Sequence, residues 1–364
     1  MTNSIKYADM DRLAQYRDSL YDHPRLTYLF FELTDACNLS CLHCGSSACP
    51  QNNTFLPVDA TKSVIDQVAA RYSSHSIMIC LSGGEPLIHP DFFEIASYAK
   101  KRGFSCGFTT NGTLIDPSVA KKLVACGIDS VTFSLDGLQD THDWFRNKKD
   151  SFTKCVQGIQ NLRNNSFGKI ATQITTVIHK KNIHQLEHIY DLVCKLGVDS
   201  WRVINLEPIG RALQHRELLL DPNQLYQLFL FIQEKRYASN VQIDVTYGCS
   251  HYLPEEFERA VRDNYFICGS GIFVASILCN GDIYSCMDIE RRPEMVQGNI
   301  MTDHFVDIWE NRFQRFRQDR TNNCEMCRQC TDRKYCRGDS AHTWDYDNNQ
   351  PLFCVKQFLS AKGG

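Results

Sequence analysis

Thr34-Asp35-Ala36-Cys37-Asn38-Leu39-Ser40-Cys41-Leu42-His43-Cys44-Gly45 is the stretch whose reading decides the rest. Its three cysteines are spaced Cys-x3-Cys-x2-Cys and follow an apolar run at 26–33 that reads as a strand. Three thiolates at this spacing can wrap one corner of a small metal centre. A closed iron–sulfur cluster takes four cysteines. A cubane held by three leaves one iron with an open position, and open positions are where metal sites do chemistry. The competing readings are a zinc knuckle, which pairs its cysteines with a second pair further on, and cysteines that only fill core space.

Outward from this loop, strand and helix alternate from about 25 to 215. Apolar runs at 26–33, 77–81, 105–109, 130–135, 170–178 and 200–205 read as buried parallel strands. Helical stretches lie between them at 60–72, 90–102, 117–126, 138–146 with 152–163, and 183–196. Repeated strand–helix units predict an α/β fold with a parallel sheet. Six units are too few for a closed eight-stranded barrel and fit a partial (β/α)6 TIM-like barrel.

Around the barrel the expected divisions are a polar N-terminal arm or helix at 1–24, a barrel at 25–215 and a connecting helical segment at 216–244. A cysteine-rich domain at 245–355 and a tail at 356–364 complete the chain. In the connecting segment, Asp221-Pro222 gives a helix its cap and first-turn proline. In the cysteine-rich part, Phe305, Ile308, Trp309, Phe313 and Phe316 share a face of a helix predicted at 304–317, with Arg312, Arg315 and Arg317 on its solvated side.

The chain has 364 residues, a net charge of −3 and 22% charged residues, so nothing asks for nucleic acid or an anionic membrane. Residues 1–11 are polar, no stretch resembles a signal peptide, and no apolar run reaches membrane length. Eighteen cysteines without a secretory signal predict a cytoplasmic protein whose thiols serve metals, catalysis or the core rather than disulfides. Three cluster near residue 40 and eight lie between Cys249 and Cys336, which suggests two metal regions.

Glycine-containing turns end successive predicted strands, where sites on parallel sheets gather. Ser82-Gly83-Gly84-Glu85-Pro86 follows the second, and its two glycines let backbone come close to a ligand. Thr109-Thr110-Asn111-Gly112 and Ser134-Leu135-Asp136-Gly137 follow the third and fourth, where each is also a good ordinary turn.

The triplet Cys37, Cys41 and Cys44 resembles the CxxxCxxC signature of the radical S-adenosylmethionine (radical SAM) enzymes, and the Gly83–Pro86 turn resembles their GGEP motif. The resemblance implies the partial barrel. It also implies a [4Fe–4S] cluster whose open iron is chelated by S-adenosylmethionine. Reductive cleavage would then yield methionine and a 5′-deoxyadenosyl radical that abstracts hydrogen from substrate. By resemblance, Gly83, Gly84, Glu85 and Pro86 serve the methionine amine, and Ser134 and Asp136 lie near the ribose or methionine carboxylate with Asn111 close by. The stretch Asn205-Leu206-Glu207-Pro208-Ile209-Gly210-Arg211-Ala212 resembles the segment that passes the adenine, and His43 is a packing or adenine-edge residue rather than a ligand.

Further on, Cys268-x12-Gly281-x4-Cys286 and Cys327-x2-Cys330-x5-Cys336, followed by Cys354, resemble the SPASM extension of these enzymes, which holds one or two auxiliary iron–sulfur clusters. The pattern departs at Ser340, where the family has a cysteine. Cys327, Cys330, Cys336 and Cys354 still make a full set of four. Cys268 and Cys286 need other ligands, for which Cys249, Cys324 and Cys279 are the candidates. A zinc ribbon on Cys324, Cys327 and Cys330 is the other reading of this block, and Cys80, Cys106, Cys126, Cys155 and Cys194 read as core filler.

What the resemblance implies is a peptide maturase. It would take hydrogen from a residue of a ribosomally made peptide or protein and install a crosslink or other oxidative change. The partners would be that substrate and a reductant such as flavodoxin or ferredoxin; since the N-terminal arm is short for the task, leader recognition would fall to the barrel edge or to a separate leader-binding protein. The runners-up are a peptide epimerase and a formylglycine-forming oxidase. The non-enzyme alternative is a metal scaffold or electron carrier.

Overall fold

The computed structural model describes residues 2–360. The expected tail residues 361–364 lie outside the described residues, while Val355–Ser360 is a short helix.

Seven parallel strands lie side by side in chain order: β1 (Tyr28–Glu32), β2 (Met78–Ser82), β3 (Ser105–Thr110), β4 (Ser130–Ser134), β5 (Ala171–Ile178), β6 (Ser200–Asn205) and β7 (Asp244–Tyr247). Three more strands extend the other edge. β8 (Val274–Ile277) runs parallel to β1, with Phe31 opposite Ile277, while β9 (Asp282–Tyr284) and β10 (Gly298–Asn299) are antiparallel. The sheet is therefore an open, mostly parallel barrel wall ending in β7 at one side and β10 at the other. The sequence expectation contained six of these strands. β7 and β8 are four residues each, too short to show a period in the sequence, and they form because a free parallel edge is there to pair with.

The N-terminal helix α1 (Thr2–Asp22) comes first. Helices α2 (Val58–Arg71), α3 (Phe92–Lys101), α4 (Pro117–Ala125), α5 (Gln139–Phe145), α6 (Ser151–Ser166) and α7 (Leu186–Leu196) connect the strands. Strand residues that point outward are fully buried under them, among them Leu29, Phe31, Ile79, Leu81, Val131 and Phe133. The helices contribute Ile65, Ile95, Leu123, Ile159 and Ile189 to the same core, so the β-branched strand pattern and the helical stripes meet in one layer. Their starts are set locally. Asp116 accepts from Val119 N before Pro117, and Asp221 and Gln224 form a reciprocal capping box for α8 (Pro222–Tyr237).

The polar arm is not loose. α1 docks on the C-terminal region, where the buried Arg17 guanidinium donates to Lys334 O and Tyr335 O. Asp18 pairs with Arg337 and Asp11 with Lys334. A helix this polar gains its order from tertiary contacts rather than from an apolar stripe.

The helix expected at 304–317 stops early. It spans Phe305–Asn311, and a separate tight turn follows at Gln314–Phe316. Arg317, expected on the solvated side, is buried: its guanidinium lies over the Trp309 ring at 4.7 Å and donates to Trp309 O and Gly271 O. Once the helix ends, its last carbonyls need donors, and the break in register turns Arg317 inward to supply them. Arg312 and Arg315 remain exposed.

Candidate active site

The cysteine loop leaves β1 and is clamped by backbone. Gly84 N donates to Thr34 O at 2.7 Å and Glu85 N to Ala36 O at 2.9 Å. Thr34 Oγ1 donates to Thr54 O, and Asp35 accepts from Thr54 N and its hydroxyl. The two glycines earn their place here. A Cβ on Gly84 would stand 2.2 Å from Ala36 O, and one on Gly83, at φ +138°, would stand 2.4 Å from Thr34 O. The close approach they permit is to the cysteine loop itself, as well as to the cavity they line.

That cavity measures about 310 Å³ and sits at the C-terminal ends of β1 to β6. The thiols of Cys37, Cys41 and Cys44 form one part of its wall. Gly83, Gly84, Asn111, Ser134, His43 and Leu206 line it too, so six of the nine residues expected around S-adenosylmethionine are brought together. Among the described residues no three His, Cys, Asp or Glu side chains converge closely enough to hold a single metal ion. The thiols stand around a space instead.

The other three stand behind the wall. Pro86 opens a buried turn. Glu85 is fully buried and accepts from Asn111 N at 2.8 Å, the Thr110 hydroxyl at 2.9 Å and Leu87 N at 3.3 Å. Burial pushes its carboxyl up to about 7, against the pull of those donors. Asp136, also expected beside the ligand, is fully buried and held by Arg146 Nε at 2.6 Å and Val177 N at 2.9 Å. Burial raises its carboxyl while Arg146 draws it down. Both carboxylates shape the ends of β2 and β4 rather than reaching the cavity.

Arg146 was not visible as a site residue in the sequence. From the C-terminal cap of α5 its Nη1 reaches to 3.7 Å from Cys41 Sγ, so the Asp136 pair delivers a guanidinium to a thiol. Burial raises the Cys41 thiol and Arg146 opposes it; burial also pushes Cys37 up to about 12. His43 stacks on Phe145 with centroids 4.1 Å apart, and burial first, then Arg146, holds it well below its ordinary value, hence neutral. Asn111 ties the loop by donating to Asn38 Oδ1 at 2.8 Å.

Three buried polar atoms on cavity residues have neither a hydrogen bond nor an ion pair: His43 Nδ1, Thr175 Oγ1 and Arg211 Nη2. Arg211 otherwise spans the loop, donating to Cys41 O and Ala48 O. Unpaired buried polar atoms are costly unless something polar fills the space. Together with the three thiols they fit an iron–sulfur cluster and a polar ligand such as S-adenosylmethionine. Arg211 lay within the Asn205–Ala212 stretch; Thr175, on β5, carried no sequence signal.

A second cleft of about 470 Å³ adjoins the first, and Gly45, Ile209 and Asp288 line both. Trp344, Tyr346 and His342 line its far side. Glu207, on the first cavity, faces His251 Nε2 at 2.5 Å and His342 Nε2 at 3.0 Å, while His251 Nδ1 lies 2.8 Å from Asp339. Burial alone would lower the imidazoles, but the carboxylates win: His251 rises to about 10 and His342 to about 9. The two imidazoliums in turn hold Glu207 well below the usual carboxylate range despite its burial.

The C-terminal thiols fall into two groups. Cys327 N donates to Cys324 Sγ, and both lie buried with Trp344. Burial raises the Cys327 thiol first, and the nearby Cys324, Cys354 and Cys330 thiols raise it further; burial, then Asp339, then Cys354 raise Cys336. Cys268 accepts from Ala341 N at 3.4 Å, and the Cys286 thiol is pushed up by burial first, then by Asp288 and by the nearby Cys268. The three candidates to complete that second pair make contacts of their own. Cys324 sits with Cys327, Cys249 Sγ donates to Asn205 O at 3.7 Å, and Cys279 N donates to Glu32. Their loops are fixed by β6 and β1, which spacing alone does not reveal. Cys106 and Cys155 are fully buried, as filler residues are.

No helix among the described residues is long and apolar enough to cross a membrane. Residues 31–193 match the Radical SAM superfamily, and residues 268–331 match an iron–sulfur cluster-binding domain. The chain is 32% identical over 359 residues to an AdoMet-dependent heme synthase of Methanosarcina barkeri, covering 91% of this chain and 96% of that one. It is 30% identical over 315 residues to the mycofactocin maturase MftC of Mycobacterium tuberculosis, covering 85% and 77%. Among solved structures, anSMEcpe with bound AdoMet and a Cp18Cys peptide superposes with a TM-score of 0.72 at 21% identity over 93% of this chain and 95% of that one, a likeness of fold. The chain belongs to the radical SAM superfamily, enzymes that work with a [4Fe–4S] cluster and S-adenosylmethionine, and it carries an iron–sulfur cluster-binding domain on its C-terminal side.

Proposed function

We propose that this enzyme abstracts a hydrogen atom from a residue of a ribosomally made peptide or protein and leaves it oxidised, as a crosslink or a related modification. The observation that carries this reading is the join between the thiol cavity and the open cleft through Gly45, Ile209 and Asp288. A reactive centre must meet its substrate out of bulk water, and an extended chain laid in that cleft presents one side chain at the join. The likeness to a mycofactocin maturase supports it.

In this reading Cys37, Cys41 and Cys44 hold the radical cluster, while Cys327, Cys330, Cys336 and Cys354 hold an auxiliary one. Bound there, the first cluster with S-adenosylmethionine would supply the hydrogen-abstracting radical chemistry, and the second would supply an acceptor for the further electron the substrate gives up. The protein's own part is position and charge. Arg146 donates toward Cys41 Sγ, which would tune that sulfur once it held iron. Gly83, Gly84, Asn111, Ser134 and Leu206 wall the ligand, neutral His43 offers a flat edge, and Glu85, Pro86 and Asp136 stiffen the wall from behind. A flavodoxin or ferredoxin would reduce the enzyme, a separate protein would bring the peptide's leader, and reduced thiols suit the cytoplasm.

The test is co-expression with the short reading frames beside the gene, followed by mass spectrometry of each peptide in deuterated water. A loss of two mass units supports oxidation. Deuterium at one α-carbon without that loss supports an epimerase instead. A second reading, a tetrapyrrole substrate, rests on the full-length likeness to an AdoMet-dependent heme synthase. Conversion of a carboxylated tetrapyrrole with no change in any peptide would favour it.

A further inference from the structure

We propose that this chain carries one auxiliary iron–sulfur cluster, on Cys327, Cys330, Cys336 and Cys354, and that Cys268 and Cys286 hold none. The inference rests on the ligand reading above and departs from the two auxiliary clusters that the cysteine pattern otherwise suggests. A cubane needs four ligands, or three with one open iron. Among the described residues, no third thiol shares a hydrogen bond with Cys268 or Cys286. The position that would supply one is Ser340, which is fully buried with its hydroxyl donated to Ser250 O. A hydroxyl spent on a backbone carbonyl has no proton left to lose to iron without stranding that carbonyl.

The nearby cysteines are spent as well. Cys324 accepts from Cys327 N and is buried with Trp344, so it joins the other group as a fifth thiol. Cys249 donates to Asn205 O at the end of β6, and Cys279 is held beside Glu32 and Arg291. What faces the Cys268 thiol is protein: Ala341 N at 3.4 Å and the Arg320 guanidinium. A guanidinium beside a thiol supplies the positive charge that an iron would have brought. The Cys268 and Cys286 region is thus a protein-lined joint between the C-terminal loops, while the one auxiliary cluster lies on the 327–354 group.

The experiment is an iron and sulfide count with Mössbauer spectra on anaerobically reconstituted protein. Wild type should hold about eight irons, and the Cys37→Ala/Cys41→Ala/Cys44→Ala variant about four, in one [4Fe–4S] environment. Adding Cys268→Ala and Cys286→Ala should leave that count unchanged, whereas adding Cys330→Ala and Cys336→Ala should empty it. Circular dichroism of each variant checks that it folds. About twelve irons in wild type, or loss of iron on removing Cys268 and Cys286, overturns the inference while leaving the cavity's chemistry intact. An iron-free triple variant overturns it too, together with the assignment of Cys327, Cys330, Cys336 and Cys354. Release of 5′-deoxyadenosine by wild type is a separate reading and stands or falls by itself.

Discussion

Cys37, Cys41 and Cys44 sit on one short loop clamped by backbone, whereas the C-terminal thiols sit on loops clamped by side-chain charge. In the first region, Gly84 N and Glu85 N hold Thr34 O and Ala36 O directly. In the second, Arg337 pairs with Asp18 and Asp319, His342 with Glu207, and His251 with both Glu207 and Asp339. Backbone bonds are indifferent to pH and salt over the working range. Buried ion pairs are not. The barrel site should therefore keep its shape under conditions that loosen the cysteine-rich region.

The largest way to break this contrast is at Arg146 and Asp136, an ion pair of the barrel site itself. Arg146→Ala strands the Asp136 carboxylate with no counter-charge. Urea unfolding should show a loss of about 3–5 kcal/mol. A loss below about 1 kcal/mol would mean that Asp136 is not carrying a buried charge, and the contrast would need redrawing.

Next is Glu207→Gln, which should cost about 1.5–3 kcal/mol at neutral pH through the lost charged hydrogen bonds. It also has a sign. His251 and His342 rise from 6.5 to about 10 and about 9, so their contribution is complete below pH 6.5 and is lost as pH climbs through 9 to 10. Wild-type denaturation midpoints should fall across that window, and Glu207→Gln should flatten the fall. Equal slopes in the two proteins would remove the imidazoles from the account.

Smaller still is Gly84→Ala. Its Cβ meets Ala36 O at 2.2 Å, a backbone atom that cannot swing aside. Overpacking of this kind costs about 1–3 kcal/mol and should weaken S-adenosylmethionine binding measured by calorimetry. Unchanged affinity would show that the glycine pair serves neither the loop nor the ligand. The smallest effect belongs to Cys106→Ala in the core between β2 and β4. It should cost on the order of 1 kcal/mol and leave the iron count untouched. Loss of iron would put Cys106 in the wrong class.

The same contrast explains what the sequence made legible. The cysteine triplet and the glycine turn are local, so spacing places them, and the strand ends follow from alternating apolar runs. Arg146 reaches a thiol 105 residues away, and His342 reaches a carboxylate 135 residues away, with no local pattern to announce either. Glu85 and Asp136 were read at the cavity because their motifs are. Their side chains turn to backbone donors at the next strand instead, which only the sheet's register determines. Arg317 departs from its helical period for a similar reason: the helix ends at Asn311, so the period does not extend to it.

The most direct measurement is 5′-deoxyadenosine and methionine released when anaerobic, reconstituted, dithionite-reduced enzyme meets S-adenosylmethionine. Wild type should produce both in equal amounts, and Cys41→Ala should produce neither. A wild type that is inert while fully loaded with iron, or a Cys41→Ala variant that cleaves at the wild-type rate, would contradict the account.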